Sequence, residues 1–114
     1  MEARARGRVT RGGIAAVAKQ AYYEGSSMPA QLARGYWRRM PGALVVLDVG
    51  CGAGDFGRFR PSDDFEIHGV DHDAIAVERA SRYECARQCD IDHEPLPYAA
   101  ATFDAVLAKD IFEH

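Results

Sequence analysis

Val45-Val46-Leu47-Asp48-Val49-Gly50-Cys51-Gly52-Ala53-Gly54 is the stretch on which the fold of this chain turns. An apolar run without alternation suits a strand covered on both faces of a parallel sheet. It ends in an acid and enters a glycine turn that opens toward Asp55–Arg60, where a short helix is expected before Pro61. Glycine permits positive φ and lets backbone approach a ligand closely. A turn at the carboxyl end of a parallel strand is where open α/β sheets bind nucleotide-like ligands. The stretch therefore predicts an α/β chain that binds an adenosine-containing cofactor.

Working outward, Glu66-Ile67-His68-Gly69-Val70-Asp71 reads as a second strand ending in an acid. Asp73 to Arg82 reads as a helix with Ile75, Ala76 and Ala80 on a thin apolar face. Cys85 to Asp90 reads as a short third strand, Pro95 to Thr102 as a loop, and Phe103 to Ala108 as a fourth strand. Strands alternating with helices imply right-handed crossovers and a parallel sheet. Upstream, Ile14, Val17, Ala18, Ala21 and Tyr22 have helical spacing, which predicts a helix over Gly12–Glu24. Leu32, Ala33, Tyr36, Trp37 and Met40 form the stripe of a second helix, ended by Pro41-Gly42. Tyr22, Tyr23, Tyr36 and Trp37 are read as core, with a flap over a ligand as the competing role. The chain divides into a basic tail (1–13), a helical segment (14–42) and a cofactor-binding half-sheet (43–114).

Composition narrows the partners. The chain has 114 residues, of which 47% are hydrophobic, so it is globular rather than disordered. Residues 1–40 carry eight Lys/Arg against two Asp/Glu, and residues 41–114 carry six against fifteen. The acidic part is a poor surface for nucleic acid or pyrophosphate and a good field for a cationic ligand. No apolar run approaches the roughly 20 residues that span a bilayer, and Met1 to Thr10 lacks a secretory apolar core. Cys51, Cys85 and Cys89 are an odd set without metal-ligand spacing, as expected of reduced thiols in the cytoplasm. No metal site is expected.

Two cofactor classes compete for the turn. Gly52-Ala53-Gly54-Asp55-Phe56-Gly57 matches G-x-G-x-x-G, which points to NAD(P). Asp48 and Asp55 flank it, however, and two carboxylates repel a pyrophosphate while attracting an ammonium or sulfonium. That favours S-adenosylmethionine. Asp71 lies 19 residues beyond Gly52, where a carboxylate accepts hydrogen bonds from ribose hydroxyls in either class.

These residues resemble the motifs of the seven-stranded, Rossmann-like (class I) S-adenosylmethionine-dependent methyltransferases. Val46–Gly54 resembles the first motif, His68-Gly69-Val70-Asp71 the acid-ended second strand, and Asp90-Ile91 the acid that meets the adenine edge. Leu96-Pro97-Tyr98, Thr102–Val106 and Phe112-Glu113-His114 resemble the region of the fourth strand. The resemblance implies that Gly50, Cys51, Gly52 and Gly54 line the methionine moiety and that Asp48 attracts its ammonium through water. It also implies that Asp71 binds the ribose, that His72 lies near the adenine, and that Asp90 and the Ile91 amide meet the adenine edge. Backbone at Ala108 and Lys109 would close the methionine end. Plainer roles stand beside these: a turn acid for Asp48, a helix cap for Asp71, surface charge for Asp90. Asp92 or Glu94 is the competing adenine partner. Asp104, His68 and His93 are read as structural. No catalytic base is identified, and the acceptor is read as a small molecule.

The resemblance covers 44–114, and the family's sheet continues beyond the fourth strand. The expectation is a fragment that binds cofactor while the acceptor pocket comes from elsewhere. Phe103–Ala108 is then an apolar edge open to self-association. The alternatives are an NAD(P)-binding oxidoreductase domain and a module that binds without turnover.

Overall fold

A computed structural model of the chain describes residues 11–24, 30–40 and 44–109. Its elements run α1 (Arg11–Val17), β1 (Ala18–Glu24), α2 (Ala30–Arg38), β2 (Val45–Val49), a 3-10 helix (Phe56–Phe59), β3 (Glu66–Asp71), α3 (Ala74–Arg79), β4 (Cys85–Gln88) and β5 (Phe103–Lys109). The five strands form one sheet in the order β1-β5-β2-β3-β4, and every pairing is parallel. This is the Rossmann-like α/β arrangement that the alternation of strands and helices predicts.

Pleating sends alternate residues of β2 to opposite faces. Val46, Ile67, Ala105 and Leu107 join an aromatic cluster containing Trp37, Phe56, Phe65 and Tyr83. Leu47, Val49, Val70 and Val106 join an aliphatic cluster closed by Ile14 and Val17 of α1. Each large side chain buried in this way contributes about 1.5–3 kcal/mol. Trp37 joins α2 to the 3-10 helix in two ways. Its ring stacks on Phe56 at 4.4 Å, and its Nε1–H donates to the Phe56 carbonyl at 3.0 Å. Trp37 and Tyr36 are therefore core residues, not a flap. The side chains of Tyr22 and Tyr23 lie outside the described set.

The N-terminal segment departs from expectation. The helix predicted over Gly12–Glu24 ends at Val17, and Ala18–Glu24 is a strand on the outer side of β5. Local preference favours a helix here, but pairing with β5 satisfies a full row of backbone groups and overrides it. Two helices still precede β2, now with a strand between them. The segment 14–42 is thus not purely helical. The expected tail over 1–13 lies outside the described residues as far as residue 10, and Arg11–Gly13 begin α1. The edge expected to stand open at Phe103–Ala108 is covered by β1, with Ala18 opposite Phe103 and Tyr23 opposite Ala108.

Other bounds shift slightly. The helix expected over Asp73–Arg82 is Ala74–Arg79, and the third strand stops at Gln88. Asp104 ties β5 to its neighbours: Oδ2 accepts the Val45 amide at 3.0 Å, and Lys19 Nζ lies 3.5 Å from Oδ1. It is structural, as read.

Candidate functional site

Parallel register places the carboxyl ends of β2, β3, β4 and β5 along one end of the sheet. Val49 pairs with both Val70 and Ala108, and Asp71 with Gln88. The glycine turn leaves β2 at the middle of this row. Gly50, Gly52 and Gly54 all have positive φ, at 79°, 56° and 89°. An L side chain rarely adopts such angles, so glycine is required by the backbone path itself. The Gly50 and Cys51 amides both donate to the Val70 carbonyl, at 2.8 and 3.0 Å, which fastens the turn to β3. A Cβ placed on Gly52 would meet no atom within 4 Å. The turn therefore presents bare backbone to an open space that any side chain would begin to fill, as a cradle for a ligand requires.

Asp71 stands beside this cradle. Its Oδ2 accepts the Gly52 amide and its Oδ1 the Asp73 amide, both at 2.9 Å. The cap of α3 is Asp73, whose Oδ1 accepts from Ile75 and Ala76, so Asp71 is not the helix cap. A carboxylate offers about four acceptor positions. Two are used, which leaves capacity for a pair of hydroxyls. His72 is exposed, with Nδ1 3.4 Å from Asp71 Oδ1.

The Asp90 turn is tied to the same end of the sheet. The Cys89 amide donates to the Asp71 carbonyl at 2.9 Å, and Gln88 Nε2 donates to the His72 carbonyl at 3.1 Å. Asp90 turns its carboxylate onto its own loop. Oδ1 accepts the Asp92 amide at 3.2 Å, and Oδ2 lies 2.8 Å from His93 Nδ1. The Asp90 amide donates to Glu94 Oε1 at 2.7 Å, so Glu94 is committed to the turn. The hydrogen bond from His93 holds the Asp90 carboxyl below its usual range. Ile91 is half-buried against the aliphatic cluster. Lys109 closes β5 opposite Glu24, and its side chain lies outside the described set, as do Phe112-Glu113-His114.

Asp48 is where the structure adds most. It is fully buried, and its Oδ2 accepts the Tyr83 hydroxyl at 2.5 Å. The carboxylate is thus enclosed by the protein, with Oδ2 held by the phenol. Tyr83 was not singled out from the sequence, because it lies 35 residues from Asp48 in an unremarkable Arg-Tyr-Glu context. Its hydroxyl also accepts the Gly57 amide at 3.2 Å. Burial first, and the Asp48 charge second, push the phenol far above its ordinary range, so it remains a donor. The ring explains the third glycine of the G-x-G-x-x-G pattern: a Cβ on Gly57 would lie 2.2 Å from Tyr83 Cε1. The Tyr83 ring by itself demands glycine at position 57.

Among the described residues, no group of three or more His, Cys, Asp or Glu could hold a metal ion. None of the described helices is long and apolar enough to cross a membrane. A groove of about 510 Å³ between α2 and Phe59–Phe65 lies toward the amino end of β3, away from the glycine turn.

Comparison with known proteins finds methyltransferases. The chain is 37% identical over 71 residues to Methyltransferase-like protein 27 of Homo sapiens, which covers 59% of this chain and 29% of that protein. It is 36% identical over 76 residues to Ubiquinone biosynthesis O-methyltransferase of Methylocella silvestris (62% and 30%). It is 33% identical over 81 residues to Sterol 24-C-methyltransferase of Candida albicans (62% and 21%). The chain thus spans less than a third of the length of these relatives. No solved structure matches it significantly. A family model described as a methyltransferase domain matches residues 46–114, from the second residue of β2 through the glycine turn and the Asp90 turn, and the chain belongs to that methyltransferase-domain family.

Proposed function

We propose that the chain provides the cofactor-binding part of an S-adenosylmethionine-dependent methyltransferase that acts on a small molecule in the cytoplasm. The observation that carries this reading is the bare, positive-φ turn of Gly50, Gly52 and Gly54 with the Asp71 carboxylate on the Gly52 amide. The Asp71 carboxylate on the Gly52 amide and the exposed Asp55 beside the same turn disfavour a dinucleotide pyrophosphate and favour a cationic ligand. S-adenosylmethionine, when bound, supplies a methyl group on a sulfonium centre already activated for displacement.

The chain's own residues then hold and orient. The Gly50–Gly54 backbone lies along the methionine portion. Asp71 accepts from the ribose hydroxyls through its two remaining acceptor positions. Asp90 and the Ile91 amide meet the adenine edge, and the backbone at Ala108 and Lys109 closes the far end. An in-line displacement gains most from alignment and from exclusion of water, so a rigid turn matters more than a proton-transfer group. A small-molecule acceptor is supported by the acidic balance of residues 41–114 and by two relatives whose names concern ubiquinone biosynthesis and a sterol.

The test is calorimetric titration of the 114-residue chain with S-adenosylhomocysteine and, separately, NADH. Saturable binding of the first alone, lost in Asp71→Ala, is expected. Preferential binding of NADH, or no binding by a folded chain, would sink the reading.

A further inference from the structure

The Tyr83 hydroxyl closes a loop that no backbone hydrogen bond closes. It donates to Asp48, the last-but-one residue of β2, and accepts from the amide of Gly57 within the 3-10 helix. One oxygen thus joins the two ends of the segment 48–57, which contains every positive-φ glycine of the chain's described residues. The ring is seated as closely as the hydroxyl. Its atoms would lie 3.4 Å from a Cβ on Gly54, 2.2 Å from one on Gly57 and 2.7 Å from one on Gly69. Three glycines, in the turn, the 3-10 helix and β3, leave room for a single aromatic ring, and that ring is itself buried.

We infer that Tyr83 is a positioning residue for the cofactor turn, clasping its entry at Asp48 and its exit at Gly57 so that the turn has its binding shape before a ligand arrives. The inference rests on the cofactor reading above and extends it to a residue that touches no ligand. Binding to a turn that must first be ordered loses the free energy of ordering, so a preformed turn binds more tightly with no additional contact. Asp48 accordingly acts through Tyr83 and the backbone, not by reaching the ligand. The clasp also accounts for the buried carboxylate. A carboxylate left without a donor inside a core is strongly disfavoured, and the phenol O–H is the donor that Asp48 Oδ2 receives.

The test compares wild type with Tyr83→Phe, which keeps the ring packing and removes only the hydroxyl. Two quantities are read: the S-adenosylhomocysteine dissociation constant at a temperature where both chains are fully folded, and amide hydrogen exchange of Gly52, Gly54 and Gly57 without ligand. The expected result is binding weakened roughly tenfold or more, with faster exchange confined to the turn and unchanged exchange in β2 and β3. Unchanged affinity in the folded variant overturns the positioning role, even if its melting temperature falls, because a purely structural tyrosine lowers stability alone. If Tyr83→Phe does not fold, the wild type decides by itself. Its Gly57 amide should exchange as slowly as those of β2, and exchange at the rate of an exposed turn overturns the clasp. If the wild type does not bind S-adenosylhomocysteine, the cofactor reading fails. Faster turn exchange in Tyr83→Phe then still upholds the clasp, and unchanged exchange overturns it.

Discussion

Two turns stand at the same end of the sheet and are held in opposite ways. The glycine turn after β2 is fastened by groups from other parts of the chain: the Val70 carbonyl, the Asp71 carboxylate and the Tyr83 hydroxyl. Those partners are buried or nearly so. The turn after β4 is fastened by its own side chains, with Asp90 accepting from Asp92 and His93, and Glu94 accepting from Asp90. Its acids and His93 are largely exposed. The first turn therefore has its shape imposed by the core, while the second is a local arrangement competing with water. Imposed shape suits the part of a ligand that must be aligned, and local shape suits the part that need only be recognised.

The comparison can be broken most sharply at Gly69. Gly69→Val places a Cβ 2.7 Å from the Tyr83 ring and 2.8 Å from Cys51 Sγ. It should destabilise the fold by about 3 kcal/mol, as read by chemical denaturation. Stability unchanged by this substitution would mean that Tyr83 is not seated as described. Next in size, Asp71→Ala removes the acceptor of the Gly52 amide together with the proposed ribose contact. S-adenosylhomocysteine binding should weaken by about 2 kcal/mol, or roughly thirtyfold. Retained affinity would separate the turn from the ligand.

Acid sharpens the comparison. Burial alone would raise the Glu84 carboxyl, but the Ile67 amide and Arg60 outweigh it and leave the value below 4.5. Glu84 thus stabilises the folded chain fully above its unfolded value, and that contribution is lost as pH falls through the lower folded value. The stability gap between wild type and Glu84→Gln should be constant near neutrality and close below about pH 4. A gap that widens with acid would contradict the sign. Asp90 has the same sign but is solvent-exposed, and salt screens it. The smallest effect is therefore expected from Asp90→Asn, which should leave the melting temperature unchanged while weakening S-adenosylhomocysteine binding only slightly. A large fall in melting temperature would show that the second turn is as constrained as the first.

How much of this was legible in the sequence depends on the range of the interactions involved. β2, β3 and β5 could be read from their own residues, because runs such as Val45–Val49 and Phe103–Ala108 admit few alternatives. The positions of Asp71 and the glycines followed from spacing along one strand–turn unit. β1 could not be read. Ala-Lys-Gln-Ala-Tyr-Tyr-Glu is composed mainly of residues that accept a helix, and only the backbone of β5, far away in sequence, makes it a strand. The inward aim of Asp48 was hidden for the same reason, since its partner belongs to a segment 35 residues downstream. Gly57 is visible in the sequence as part of a familiar pattern, but the ring that crowds it belongs to a residue 26 positions downstream.

The strand order has a consequence for how the chain is made. β5 lies between β1 and β2, yet it is the last of the five to leave the ribosome. Until it emerges, β1 has no neighbour and β2 has one side unpaired. The N-terminal strand must wait as an unpaired segment while everything between it and its partner is synthesised. Contacts between residues as distant as Ala18 and Phe103 close late and slowly. The nascent chain therefore carries an incomplete sheet until β5 emerges, the interval in which exposed strands are most prone to mispair and in which a chaperone would matter most.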